Sequence, residues 1–214
     1  MSANPIAQSA PPTAKGQDTR ERIVRAAARL MFEHGVAGTS TPAIRDAAGV
    51  SSSQIYHYFA DKQALTSAVI EHQSRAILGG QRQMLSRLDS LEALRAWRDA
   101  VVSAQRELRY LGGCPLGSLA SELAEHEPQA RTSLARSFSQ WSGAIRDGLR
   151  QMIERGVLAS GTDADRLSLA LLAALQGGLL LGQTQRDSAA LEAALDTVIE
   201  RIEQQAVARS APSH

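Results

Sequence analysis

The chain has 214 residues with 23 Lys and Arg against 22 Asp and Glu, and a formal charge of +1 excludes an overall basic signature. Its length suits one compact two-part protein or a small domain joined to a larger one, and its single cysteine excludes an internal disulfide. Leu and Ala abound, aromatics are few and no run alternates like a strand for long, so the fold class is all-α. The first seventeen residues, rich in Ala, Ser and Pro, are expected to form a disordered arm. Asp18 and Glu21 have capping-box spacing ahead of an apolar stripe, Ile23, Ala27, Leu30 and Met31, which predicts a first helix ending at His34-Gly35. Thr41-Pro42 opens a second, because Thr caps helices and Pro is tolerated at the first helical position. Ile44, Ala47 and Ala48 supply its buried face. Gly49 can then take the left-handed conformation that turns the chain sharply. Ser51 is a favoured N-cap and Gln54, three residues on, completes a capping box, with Val50 and Ile55 placed as a hydrophobic staple. Ile55 and Phe59 face inward, which leaves Ser52, Ser53, Tyr56 and His57 outward. A helix of about two turns is not stable alone in water. Its presentation points to a groove in DNA, and the three helices with a Gly-containing turn over residues 18–62 form a helix-turn-helix unit.

Residues from about 18 to 65 resemble the DNA-binding domain of the tetracycline-repressor family of bacterial transcription regulators. The matching pieces are R-I-V-R-A-A-A-R-L-M-F-E-H-G, T-P-A-I-R-D-A-A-G-V-S and Y-H-Y-F-A-D-K-Q-A-L, in order and at the right spacing. The resemblance implies DNA contacts from Thr41, Ser52, Ser53, Gln54, Tyr56, His57 and Lys62. Lys62 reads as a phosphate anchor at a helix start, where backbone N–H groups add attraction. Gln54 stays open between capping partner and adenine reader. Many relatives carry Lys or Arg where this chain has Ser52, and Gly or Pro at Ser53, a departure that removes one charge contact. Residues 15–62 hold 7 Lys/Arg against 5 Asp/Glu, while residues 63–214 hold 16 against 17, so the slight positive excess sits in the N-terminal part.

From residue 63 to 208 the pattern predicts a larger helical body. A long helix runs from about Gln63 to Leu88, and Ser90 caps another carrying Leu91, Leu94, Trp97, Val101 and Leu108. After Gly112-Gly113-Cys114-Pro115 comes a short helix over about Leu116 to Glu125, then one from Pro128 to Gly156 through Leu134, Phe138, Trp141, Ile145, Leu149 and Met152. The last two run from about Asp163 to Gln185 and from Ser188 to Ala208, giving about nine helices; residues 209–214 form a tail. The segment G-G-C-P-L-G-S-L-A-S-E-L resembles one subgroup's C-terminal domain. Helical bodies of this family enclose a small-molecule pocket, for which Trp97, Val101, Cys114, Phe138 and Trp141 are the candidate walls, and no cofactor is implied. Leu167 to Leu175 is apolar almost all round, so burial on more than one side is expected. The family resemblance places a homodimer seam on the last two helices, at Leu171, Leu175, Gly178, Leu191, Leu195 and Val198.

The expected function is an all-α homodimeric, sequence-specific transcriptional regulator, a repressor released from a near-palindromic double-stranded operator by a small-molecule effector. An alternative makes Cys114 a thiol that senses electrophiles or oxidants. Rivals from other classes are a Cys114-dependent enzyme and a helical interaction module; no His/Asp partner accompanies the thiol, so no catalytic residue is assigned. His34, His72 and His126 fall on different helices and make no metal cluster. No signal peptide is apparent, and the apolar run from Leu167 to Gly182 is short for a membrane span, so the expected location is cytoplasmic with no membrane partner.

Overall fold

The computed structural model describes residues 14–207; the expected tail over 209–214 and most of the expected arm lie outside them. Nine helices occupy the described residues: α1 Ala14–His34, α2 Thr41–Ala48, α3 Ser52–Tyr58, α4 Lys62–Leu85, α5 Leu91–Glu107, α6 Pro115–Leu123, α7 Pro128–Glu154, α8 Ala164–Gln185 and α9 Ala189–Glu203. The chain divides into two compact units, up to Val69 and from Ile70 on, and the division falls within the continuous helix α4.

In the first unit α1 starts four residues before Asp18, so residues 14–17, expected in the arm, are helical. Asp18 therefore lies inside the helix and pairs with Arg22 at 3.6 Å instead of capping. Ala14, Lys15 and Gln17 are good helix formers, and Gly16 alone costs only about 1 kcal/mol. The cap of α2 is Ser40 rather than Thr41: its extended backbone (φ −94°, ψ 151°) lets Oγ accept from the Ala43 N–H at 3.3 Å. Pro42 still fits, because N–H groups throughout the first turn lack intrahelical partners. Ile44 and Ala48, one turn apart, bury this helix, whereas Ala47 is exposed. Gly49 ends it with φ +61° and no neighbour within 4 Å of an added Cβ. Conformation rather than space calls for glycine there.

In the second unit α8 packs most extensively against α9 and also against α7, while α6 lies on α7 and α5 on α9. Close approach explains one glycine: a Cβ on Gly178 would sit 2.6 Å from the Leu191 Cα. Trp97, Leu116, Leu134, Ile145, Leu149, Leu171 and Leu195 fill the interior at 2% exposure or less. Along the outside, an ion ladder registers α5 on α9: Arg95 with Glu203 (2.6 Å), Arg98 with Asp196 (2.6 Å) and Glu192 (3.2 Å), and Arg106 with Glu192 (2.7 Å). Exposed pairs contribute little singly, so its main effect is to fix register.

After α5 the chain crosses Arg109 (φ +51°) and Tyr110 (φ +57°), then Gly112 and Gly113, also at positive φ. For residues with a Cβ that conformation costs roughly 1–2 kcal/mol each. Arg186, itself left-handed at the end of α8, donates from Nη1 to the Tyr110 carbonyl at 2.9 Å and holds this loop.

Helix α8 has 22 residues and is long and apolar enough by length and composition to cross a membrane, longer than the apolar run read from the sequence. It packs as a core helix. Ser168, Leu171, Leu175, Gly178 and Gly182 face inward, while Leu169 (61% exposed), Leu180 (62%) and Leu181 (48%) face outward.

Candidate nucleic-acid interface and effector region

The turn and α3 form as the sequence predicts. The Ser51 Oγ accepts from the Gln54 N–H at 3.2 Å, and the Gln54 Oε1 accepts from the Ser51 N–H at 2.8 Å, closing a complete capping box. Ile55 and Phe59 are buried at 3% each, which fixes the roll of this seven-residue helix. The Arg20 guanidinium of α1 lies 5.2 Å from the Phe59 ring centroid and covers its face. Ser52, Ser53, Gln54, Tyr56 and His57 consequently all stand exposed on one side. Tyr56 is 60% exposed, and His57 is steadied edge-on by Tyr58, with ring centroids 4.9 Å apart. Chemically, this is a short rigid helix offering hydroxyls, an imidazole and an amide, a set suited to base edges and phosphate oxygens.

The geometry bears on two of these readings. Gln54 is a capping partner. One lone pair of its carbonyl oxygen is held by the Ser51 N–H, which leaves the second lone pair and the amide N–H groups for a base edge. The Ser53 hydroxyl is likewise engaged, 2.9 Å from Ser51 Oγ. Lys62 is not a free charge: its Nζ donates to the Val36 carbonyl at 2.6 Å, bracing the first residue of α4 on the turn after α1. An ammonium has three donors, so this brace leaves others for a phosphate. Thr41 is half-buried at the start of α2, and Ser40 takes the cap assigned to it.

Sequence reasoning missed two local devices. Asp61 accepts from the Ala64 N–H at 2.7 Å and starts α4, a signal present in the D-K-Q-A spacing. Arg45 is bound by its neighbour Asp46 at 2.7 Å, which holds the Arg45 pKa up and the Asp46 carboxyl down. The pair removes one free cation from the surface beside the turn.

The expected effector walls differ in exposure and in their partners. Trp97 is a core pillar, 1% exposed, with its indole N–H donated to Gln81 Oε1 at 2.9 Å. Val101 and Phe138 are half-buried. Trp141 is 2% exposed, and its Nε1 is buried without a partner. Cys114 is 8% exposed at the start of α6. Burial pushes its thiol up, against smaller lowering by the Gly117 backbone, the Gln176 side chain and the Leu116 backbone. Its burial suits a small packing group, and the electrophile-sensor alternative is not favoured. A cavity of about 390 Å³ lies elsewhere, between α4 and α7, lined by Leu78, Arg82, Leu85, Gln140, Ala144 and Gln151 among others.

The expected dimer seam needs correction. Leu171, Leu175, Leu191 and Leu195 are at most 1% exposed within one chain, Gly178 is covered by Leu191, and Val198 is half-buried. All but Val198 are thus used up in joining α8 to α9 inside a protomer and have no free surface for a second one. The face left open on α8 carries Leu169, Ala173, Gly177 and Leu180, spaced by four, four and three.

Comparison with known proteins agrees with this architecture. Residues 23–69 match the family model described as bacterial regulatory proteins, tetR family, and residues 90–198 match the tetracyclin repressor-like C-terminal domain. The uncharacterized HTH-type transcriptional regulator in the lacX 3′ region of Lactococcus lactis subsp. lactis is 30% identical over 185 residues, covering 84% of this chain and 91% of that protein. A TetR-family regulator from Cytophaga hutchinsonii superposes with a TM-score of 0.82 at 19% identity, over 92% of this chain and 99% of the other. A TetR regulator from Chloroflexus aurantiacus J-10-FL gives 0.75 at 28% identity, over 91% and 98%.

Proposed function

The chain belongs to the tetracycline-repressor family of DNA-binding transcriptional regulators, and from that premise we propose that it is a cytoplasmic homodimeric repressor released from a near-palindromic operator by a small molecule. The observation that carries the DNA reading is the exposed Tyr56-His57 face of α3, held rigid by the Ser51–Gln54 capping box and the buried Ile55 and Phe59. Two such helices in a dimer reach successive major grooves when they stand about one DNA turn apart, roughly 34–36 Å.

For the dimer, the support is the apolar outer face of α8 from Leu169 to Leu180, which a twofold copy would cover with its own equivalent face. For the effector, the support is the buried Trp141 Nε1 of α7, a donor with no partner in the helical body. An unpaired buried donor costs roughly 1–3 kcal/mol, so a ligand with neutral hydrogen-bond acceptors has something to gain there. Effector binding acts as repression release only if the ligand prefers the state that misplaces the two recognition helices.

The test is a binding assay on the DNA flanking the gene. Tyr56→Ala and His57→Ala should each weaken specific binding by about 1–3 kcal/mol, and affinity should fall steeply with salt. If both variants bind that DNA as the parent does, α3 does not read it.

A further inference from the structure

We infer that Asp46 restrains sequence-independent DNA binding by holding Arg45 back from the phosphates; this rests on the docking of α3 read above. From Thr41 to Tyr58, the span of α2, the turn and α3, the chain carries a single Lys or Arg, Arg45, and a single Asp or Glu, Asp46. The two are adjacent and bound to each other. Arg45 Nε donates to Asp46 Oδ1 at 2.7 Å, and Nη2 lies 2.7 Å from the same oxygen. The two helices of the motif thus hold one guanidinium and no ammonium, and the next residue cancels its charge.

Arg45 stands where a phosphate contact belongs. It follows Thr41 by four residues and so shares a face of α2 with it, beside the buried row of Ile44 and Ala48. Its carbonyl accepts the Val50 N–H at 3.2 Å, and the Asp46 carbonyl accepts the Gly49 N–H at 3.3 Å. The pair is thereby fixed to the turn that leads into the cap of α3. Its side chains are 38% and 67% exposed, so what occupies the guanidinium is the carboxylate rather than the packing of the fold. Backbone contacts gain affinity by releasing counterions from DNA, in proportion to the phosphates neutralised. A guanidinium that carries its own carboxylate neutralises none. Phosphate contacts position a protein without reading sequence, so holding this one back lowers affinity for all DNA and leaves discrimination to Tyr56 and His57.

Titration of a random-sequence duplex and of the DNA flanking the gene, each over a range of salt, tests this on the full chain. Asp46→Asn should bind both about threefold to tenfold more tightly than the parent, with a salt dependence steeper by about one phosphate contact. It should melt like the parent, because an exposed pair contributes little to stability. In an Arg45→Gln background the same substitution should raise affinity less than about twofold at physiological salt and leave the salt dependence alone. No gain from Asp46→Asn overturns the inference. So does an equal gain with and without Arg45, because Asp46 would then act only as a repelling charge. Tyr56→Ala keeps the two readings apart. If it binds the flanking DNA as the parent does, the docking of α3 fails and the inference falls with it; if it weakens that binding, a flat Asp46→Asn result overturns the inference alone.

Discussion

Gln54 separates two jobs that a recognition helix combines, and substitution can pull them apart. Gln54→Ala removes the Oε1 that accepts the Ser51 N–H at 2.8 Å and opens one half of the capping box. Loss of a cap partner costs about 0.5–2 kcal/mol, and 1 kcal/mol is the working figure here because the bond is exposed. In a unit of fewer than about 100 residues that lowers the melting midpoint by roughly 4–8 °C. A seven-residue helix has little else to hold its first turn, so DNA binding should weaken along with it. Gln54→Glu keeps a carboxylate oxygen for the same N–H, and a negative charge suits a helix start. Its thermal midpoint should therefore stay near the parent's while DNA affinity drops, since a carboxylate faces the phosphates. The assays are thermal unfolding followed by circular dichroism and operator titration at fixed salt. An Ala variant that melts like the parent, or a Glu variant that melts as low as Ala, would refute the capping argument.

Other consequences can be checked in the same way. Lys62→Met removes the 2.6 Å bond to the Val36 carbonyl and should lower both stability, by about 1 kcal/mol, and affinity for every DNA sequence alike; loss of affinity with unchanged unfolding would make it a phosphate contact only. Gly178→Ala places a Cβ 2.6 Å from the Leu191 Cα and should destabilise the chain by about 1–3 kcal/mol, measured by urea unfolding; an equally stable variant would mean that α8 and α9 are less closely packed than described. Glu192 is held below its usual range, first by the Ser188 hydroxyl and then, against a cost from burial, by Arg106 and Arg98. A depressed carboxylate stabilises the fold above its unfolded pKa, and that contribution is lost as pH falls through the folded value. Glu192→Gln should thus lose stability at neutral pH and show a shallower acid limb; parallel pH profiles for the two chains would exclude the contribution.

What the sequence determined by itself is the part of the molecule whose causes lie within a few residues. The left-handed turn at Gly49, the Ser51–Gln54 box and the outward face of Tyr56 and His57 are written in spacings of three and four, and the fold keeps them. Helix order follows from the same periodicity. Competition between neighbours shifted the starts: Ser40 outcompeted Thr41 for one cap, and α1 ran back past Asp18 because residues 14–17 hold no breaker stronger than Gly16. Tertiary structure decided whatever depends on distant partners. Lys62 finds its acceptor 26 residues away, and no local pattern announces that. The choice between Leu171 and Leu169 on α8 was also beyond the sequence. A helix apolar on nearly every side has too little contrast for periodicity to say which face goes in. Close approach to α9 made that choice: it needs Gly178 beside Leu191, which rolls Leu171 and Leu175 into the protomer and leaves Leu169 and Leu180 outside.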